Sequence, residues 1–230
     1  MKNEIYKIGF EIEGGFTEKL MTKLRTVGEM VHDGSVRSED DNKYAREFNS
    51  TPYLLKDLNK ALKVIDMFDD DNYESNRSAG FHIHFSFNPE LPVTILSMQF
   101  FKHFKELLAK DWPEIAKDRG QNSYCKLKLS QDDLQRNSGV ERYRAINTWP
   151  SYRERKTIEF RIWPTAKKDE MKKYLLWNVN LIKNWLENEE TLATVKHSFQ
   201  LSRIKKEKPI ERTILRIINE NKINYEKCVN

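Results

Sequence analysis

Three short segments alternate strictly between apolar and chemically active residues, and they constrain this chain more than any other feature. From Tyr6 to Glu13, Tyr6, Ile8, Phe10 and Ile12 fall on one parity and Lys7, Gly9, Glu11 and Glu13 on the other. From Gly80 to Phe87, Phe81, Ile83, Phe85 and Phe87 alternate with Gly80, His82, His84 and Ser86. From Thr157 to Trp163, Ile158, Phe160 and Ile162 alternate with Thr157, Glu159 and Arg161. A period of two is the signature of a strand buried on one face only. The apolar faces need helices or a second layer to cover them. The opposite faces carry carboxylates, imidazoles and a guanidinium, which suits the lining of a cleft.

Between these strands lie helical patterns. The sequence predicts helices over 17–30, 53–69, about 93–110 and 168–187, with Pro113 opening a short turn or helix and Pro209 opening a last helix through Ile217. Gly14-Gly15 is expected to end the first strand, and Asp33-Gly34 to make a turn. Shorter strands are expected at 44–49, carrying Glu47, and at 143–147, with a polar loop over 118–141 and a hairpin connection over 148–156. Helices fall in blocks rather than in strict alternation with strands, so the expected class is α+β with an antiparallel sheet. The expected organisation is one domain over 1–190 and a helical tail over 191–230 packed on it. At 230 residues such a chain buries a full core without staples.

Composition excludes several classes. Apolar residues make up 38% of the chain, which excludes wholesale disorder. The two cysteines, Cys125 and Cys228, cannot build a disulfide framework or a CxxC metal site. No run of about 18 apolar residues exists to cross a membrane, and the N-terminus lacks the apolar core of a signal peptide; the expected location is the cytoplasm. With 40 Lys and Arg against 35 Asp and Glu, the net charge is only +5. That balance permits an anionic partner without demanding one.

The polar faces carry the chemistry. Glu11 and Glu13, two apart on a strand, point the same way roughly 7 Å apart. Without a cation between them they repel, although a solvated strand edge would also tolerate them. His82 and His84 share that spacing, and imidazole with carboxylate is a usual ligand set for divalent metals. A cupin also uses His-x-His, but the long helices do not suit its all-β barrel. Glu159 and Arg161 could be a simple surface ion pair, or a metal ligand beside a residue whose planar fork matches phosphate. With Glu47, these groups suffice for two Mg²⁺ sites sharing an anionic substrate. Neither GxxxxGK[ST] nor GxGxxG occurs, so a nucleotide would have to be held by metals and basic side chains. Arg142, Arg144 and the run from Arg153 to Arg155 are the densest supply. No Ser-His-Asp set is legible.

Taken in order, GFEIEGG, HDGS, REFNS-P, GFHIHF, RYRAIN and TIEFRIW resemble the motifs of the amidoligase family, carboxylate–amine ligases similar to glutamine synthetase and glutamate–cysteine ligase. The resemblance covers about residues 7–165. It implies a glutamine-synthetase-like antiparallel sheet backed by helices, with ATP and Mg²⁺ (or Mn²⁺) on the open face. It implies Glu11, Glu13, Glu47, His82 and Glu159 as metal ligands, and His84 near the nucleotide phosphates. Asp33 and Ser35 match the D-G-S element beside the substrates, with Asp33 as the base, and Asn147 matches a substrate-binding position. Arg161 matches the phosphate-facing Arg of E-x-R. The implied reaction phosphorylates a small-molecule or peptide carboxylate with ATP, and an amine then displaces phosphate to leave an amide or isopeptide bond.

Two other readings stand beside it. A metal-dependent nucleic-acid-binding protein or nuclease could use the same ligands, but +5 spread over mixed signs argues against specific nucleic-acid binding. A ligase fold without activity, kept as a binding module, is the third; the intact polar faces argue against it.

Overall fold

The computed structural model describes residues 4–76, 79–128, 143–148 and 157–188. Its centre is one long strand, β1 (Glu4–Phe16), onto which most of the sheet is built. The other strands are β2 (Gly28–Val31), β3 (Tyr44–Ser50), β4 (Tyr53–Leu54), β5 (Tyr73–Glu74), β6 (Gly80–Asn88), β7 (Ile146–Asn147) and β8 (Ile158–Pro164). They form an open eight-stranded sheet in the order β2-β3-β1-β6-β8-β7, with β4 and β5 also paired to β1. Every strand pairing is antiparallel.

Alternation dictates the layers. Ile8, Phe10 and Ile12 of β1, Phe81, Ile83 and Phe85 of β6, and Ile158, Phe160 and Ile162 of β8 are all fully or almost fully buried. Helices α1 (Glu18–Leu24), α2 (Leu58–Ile65), α3 (Met98–Asp111) and α5 (Lys168–Glu187) contribute Leu20, Ile65, Phe104 and Leu175 to that same core. A shorter helix, α4 (Pro113–Asp118), begins on its proline, whose missing N–H has no partner to lose there. Phe160 sits at the middle of the packing, its ring 5.7 Å from Phe85, 6.4 Å from Phe100 and 5.6 Å from Phe104. The α+β class with an antiparallel sheet is therefore present, and α5 occupies the span expected of it.

Several local expectations change. The Gly14-Gly15 pair does not end β1, which continues through Phe16 and hands over to α1 at Thr17, whose hydroxyl caps Leu20 N–H at 3.3 Å. The helix expected over 17–30 stops at Leu24, and its second half becomes edge strand β2. Gly28 explains the change: a side chain there would collide with the Asn49 carbonyl and the Phe48 ring of β3. Tyr6 is exposed rather than inward, because a bulge between Ile5 and Lys7 turns Ile5 into the core in its place. The helix expected over 53–69 is split into β4, a single 3₁₀ turn (Leu55–Asp57) and α2. The helix expected from 93 begins only at Met98, after a 3₁₀ turn (Val93–Leu96), with Ser97 accepting from Phe100 N–H at 3.1 Å. The strand expected over 143–147 shrinks to β7. Arg142, most of the hairpin over 148–156, most of the loop over 118–141, the helix after Pro209 and the tail over 191–230 lie outside the described residues.

Candidate metal centre on the open sheet face

Cross-strand register brings the active residues together. Residues directly opposite in an antiparallel pair share a face. Glu11 stands opposite His82, Glu13 opposite Glu47, and both His84 and Asn147 opposite Glu159. Six ligand-type residues from four strands thus meet on the face away from the described helices.

They form two groups. Glu11, His84 and Glu159 each offer one ligand atom, all within 4.8 Å of one another; Glu13, Glu47 and Asp33 do the same. His82 lies between the two groups. Its Nδ1 is 3.1 Å from Glu11 Oε2 and 3.5 Å from Glu159 Oε1, and its Nε2 is 3.8 Å from Glu13 Oε1. The ring needs room to sit there, and Gly80 supplies it, since a Cβ at Gly80 would stand 2.5 Å from His82 Nε2. Gly80 also donates its backbone N–H to Glu13 Oε2 at 2.6 Å.

The electrostatics show what crowding carboxylates costs. Burial pushes the Glu13 carboxyl above its usual range, with His82 opposing that rise. Burial does the same for Glu47, and the charge of Glu11 adds to it. For Glu11, burial is outweighed by the neighbouring His84 and His82, which hold its carboxyl well below the ordinary range. His84 is shifted up, because the Glu11 carboxylate outweighs the burial that would lower it. Arg161 is likewise raised: burial would lower it, but Glu159, bound by its Nη1 at 2.5 Å, prevails.

These residues fit divalent cations. His84 Nε2 lies 3.1 Å from Glu11 Oε1, at ion-pair distance. Two ligand atoms about 3 Å apart match neighbouring positions around a cation with arms of about 2.1 Å. The Glu13, Glu47 and Asp33 group offers only oxygens, which suits a hard ion such as Mg²⁺ or Mn²⁺.

Other expected residues are placed differently. Asp33, expected beside the substrates, comes within ligand distance of Glu13 and Glu47. Its Oδ1 accepts both the N–H and the hydroxyl of Ser35, each at 2.7 Å, so Ser35 closes the loop onto Asp33. Asn147 donates to Glu159 Oε2 at 2.5 Å and so orients that carboxylate. Arg144 is half-buried at the sheet edge, bridged to Lys126. His84, expected on the phosphate side, joins a ligand group, while His82 takes the central place. Sequence reasoning missed Gly80 and Tyr73. The Tyr73 hydroxyl donates to the Glu13 carbonyl at 2.5 Å, and nothing in the short, polar stretch around it announces that contact. No family model, curated protein or solved structure matches this chain, so the reading of the site rests on its own residues and their geometry.

Proposed function

We propose that the chain is an ATP-dependent carboxylate–amine ligase with a glutamine-synthetase-like catalytic fold, forming an amide or isopeptide bond through an acyl phosphate. The observation that carries this reading is the pairing of two ligand groups around one central imidazole on an open sheet face, with Arg161 beside them. In it, Glu11, His84 and Glu159 would hold one Mg²⁺ or Mn²⁺ ion and Glu13, Glu47 and Asp33 a second, with His82 lying between the two groups. Such ions neutralise the charge of a transferring phosphoryl group.

The chain's own residues do the rest. Arg161 uses Nη1 to brace Glu159, and its guanidinium lies beside the ligand groups, where its planar fork suits a phosphoryl group. Asn147 holds the Glu159 carboxylate in place. A carboxylate oxygen of the substrate attacks the γ-phosphorus and ADP leaves. The amine then attacks the acyl carbon and phosphate leaves with that oxygen. The amine must shed a proton; the resemblance made Asp33 its acceptor, but with Oδ1 engaged by Ser35 and its other oxygen committed to the cation group, that proton goes to solvent water.

The test is incubation with ATP, Mg²⁺ and a panel of amino acids, peptides and amines. Amine-dependent ADP formation is expected, with ¹⁸O passing from the substrate carboxylate to phosphate. Release of AMP, or ADP formation without oxygen transfer, would refute the mechanism. Strand cleavage of nucleic acid without ATP consumption would replace it with a nuclease, and ATP binding without turnover on any pair would replace it with a binding module.

A further inference from the structure

The two-residue strand β5 has no assigned chemistry, yet its side chains bind both the strand that carries Glu13 and the segment that carries Asp33. Tyr73 is buried among Phe16 and Phe68, with ring centroids 5.3 and 5.1 Å away, and donates its hydroxyl to the Glu13 carbonyl. The Glu13 side chain is held separately, by Gly80 N–H. Next to Tyr73, Glu74 accepts from the Ser38 hydroxyl at 2.6 Å, from Glu39 N–H at 2.9 Å and from Asp40 N–H at 3.3 Å. Two residues further on, Asn76 Nδ2 donates to the Arg37 carbonyl at 2.6 Å. Those four acceptor and donor residues, 37–40, lie in the segment between β2 and β3 that carries Asp33. That segment has no helix or strand of its own, so side-chain bonds from β5 and its flank supply the order that a ladder would give.

The Gly14-Gly15 pair now has a physical purpose. Gly14 has φ +154°, a conformation that L side chains rarely adopt, and a Cβ there would lie 2.5 Å from the Glu74 carbonyl and 2.6 Å from the Tyr73 ring. A Cβ at Gly15 would lie 2.7 Å from both Glu74 Oε2 and Ser38 Oγ. Both glycines let β5 close directly on β1, in the register Gly15 opposite Glu74 and Phe16 opposite Tyr73.

We infer that β5 is a clasp: Tyr73 and Glu74 are positioning residues that assemble the Glu13, Asp33 and Glu47 cation group, one fixing the strand that carries Glu13 and the other the loop that carries Asp33. This rests on the two-ion reading of the site. It goes further, because it separates the groups: the clasp serves one and leaves Glu11, His84 and Glu159 alone. Partners that orient metal ligands typically change affinity 10–100-fold when removed.

Mn²⁺ binding to the full-length protein, followed by the loss of the free-ion paramagnetic resonance signal, tests it. Wild type should bind two ions. Tyr73→Phe, which keeps the ring, and Glu74→Gln, which keeps the size, should each weaken one site about 10-fold and leave the other unchanged. In a Glu47→Gln background, which retains only the His84-containing site, neither change should alter the remaining affinity. A merely structural role would lower both affinities together or neither, and either result overturns the clasp. If Tyr73→Phe fails to fold, Glu74→Gln alone decides. If wild type binds no Mn²⁺, the two-ion reading and the clasp fall together; if it binds two and the variants show no selective loss, only the clasp falls.

Discussion

Replacing Glu47 with Gln should make the metal-free protein more stable and the metal-loaded protein less so. In the absence of an ion, Glu13, Asp33 and Glu47 place ligand oxygens within 4.8 Å of one another. At that separation two unit charges repel by about 3.5 kcal/mol at an effective dielectric of about 20. Glu47 takes part in two such pairs, which at that separation and full charge amount to about 7 kcal/mol. The true relief is smaller, because Glu47 and Asp33 are only partly buried and the side chains can turn apart. A gain of about 1–2 kcal/mol is expected, or roughly 2–8 °C in Tm for a domain of this size. The substitution costs little elsewhere: Glu47 Oε1 accepts from Asn49 Nδ2 at 2.8 Å, and the amide oxygen of Gln can do the same. With Mn²⁺ at about 100 times its dissociation constant, wild type gains about 2.7 kcal/mol per site, and the variant forfeits one of those terms. Thermal unfolding followed by near-UV circular dichroism, with chelator and with Mn²⁺, should therefore show the two curves changing order. A variant less stable than wild type in chelator would refute the reasoning, since it would make Glu47 a structural partner and not a repelled ligand.

Arg161→Lys keeps a cation but loses the planar fork, so ATP binding should survive while turnover falls about 100-fold; wild-type turnover in a coupled ADP assay would reduce Arg161 to a brace for Glu159. Glu74 offers a pH test: burial would raise its carboxyl, but the Ser38 hydroxyl and the Glu39 and Asp40 N–H groups outweigh it and hold its carboxyl below the usual value of 4.5. Its contribution is thus fully present above the unfolded pKa and is lost as pH falls through the lower folded one, so below about pH 4.5 wild type should lose more stability in urea titrations than Glu74→Gln does. Phe160→Ala removes a fully buried ring that touches three others and should cost about 3–5 kcal/mol by chemical denaturation; a loss under 1 kcal/mol would mean the helices do not pack on the sheet as described. Gly80→Ala should weaken cation binding measured by calorimetry without unfolding the chain, because the new methyl presses on His82 Nε2 and not on the core; unchanged affinity would displace His82 from the centre of the site.

Which side chains face the cleft was legible in the chain itself. Alternation along β1, β6 and β8 is a local property of the extended backbone, and it assigns Glu11 and Glu13, His82 and His84, and Glu159 and Arg161 to the polar parity with no knowledge of neighbours. Helix α5 was legible for the same kind of reason, since twenty residues of helical period leave little for tertiary context to override. Where contacts come from far along the chain, local pattern failed. Gly28 to Met30 read as the end of a helix until β3 took them into an edge strand, and Tyr6 read as core until one bulged residue reversed the parity before Lys7. Pairing decided the site in the same way. Only the order β3-β1-β6-β8 puts Glu47 against Glu13, His82 against Glu11 and Glu159 against His84, and only the loop held by Glu74 brings Asp33 to them. A strand's own sequence sets which way its side chains point, because the backbone alternates; it cannot set which strand lies beside it, because that depends on burying apolar faces contributed by residues more than a hundred positions away.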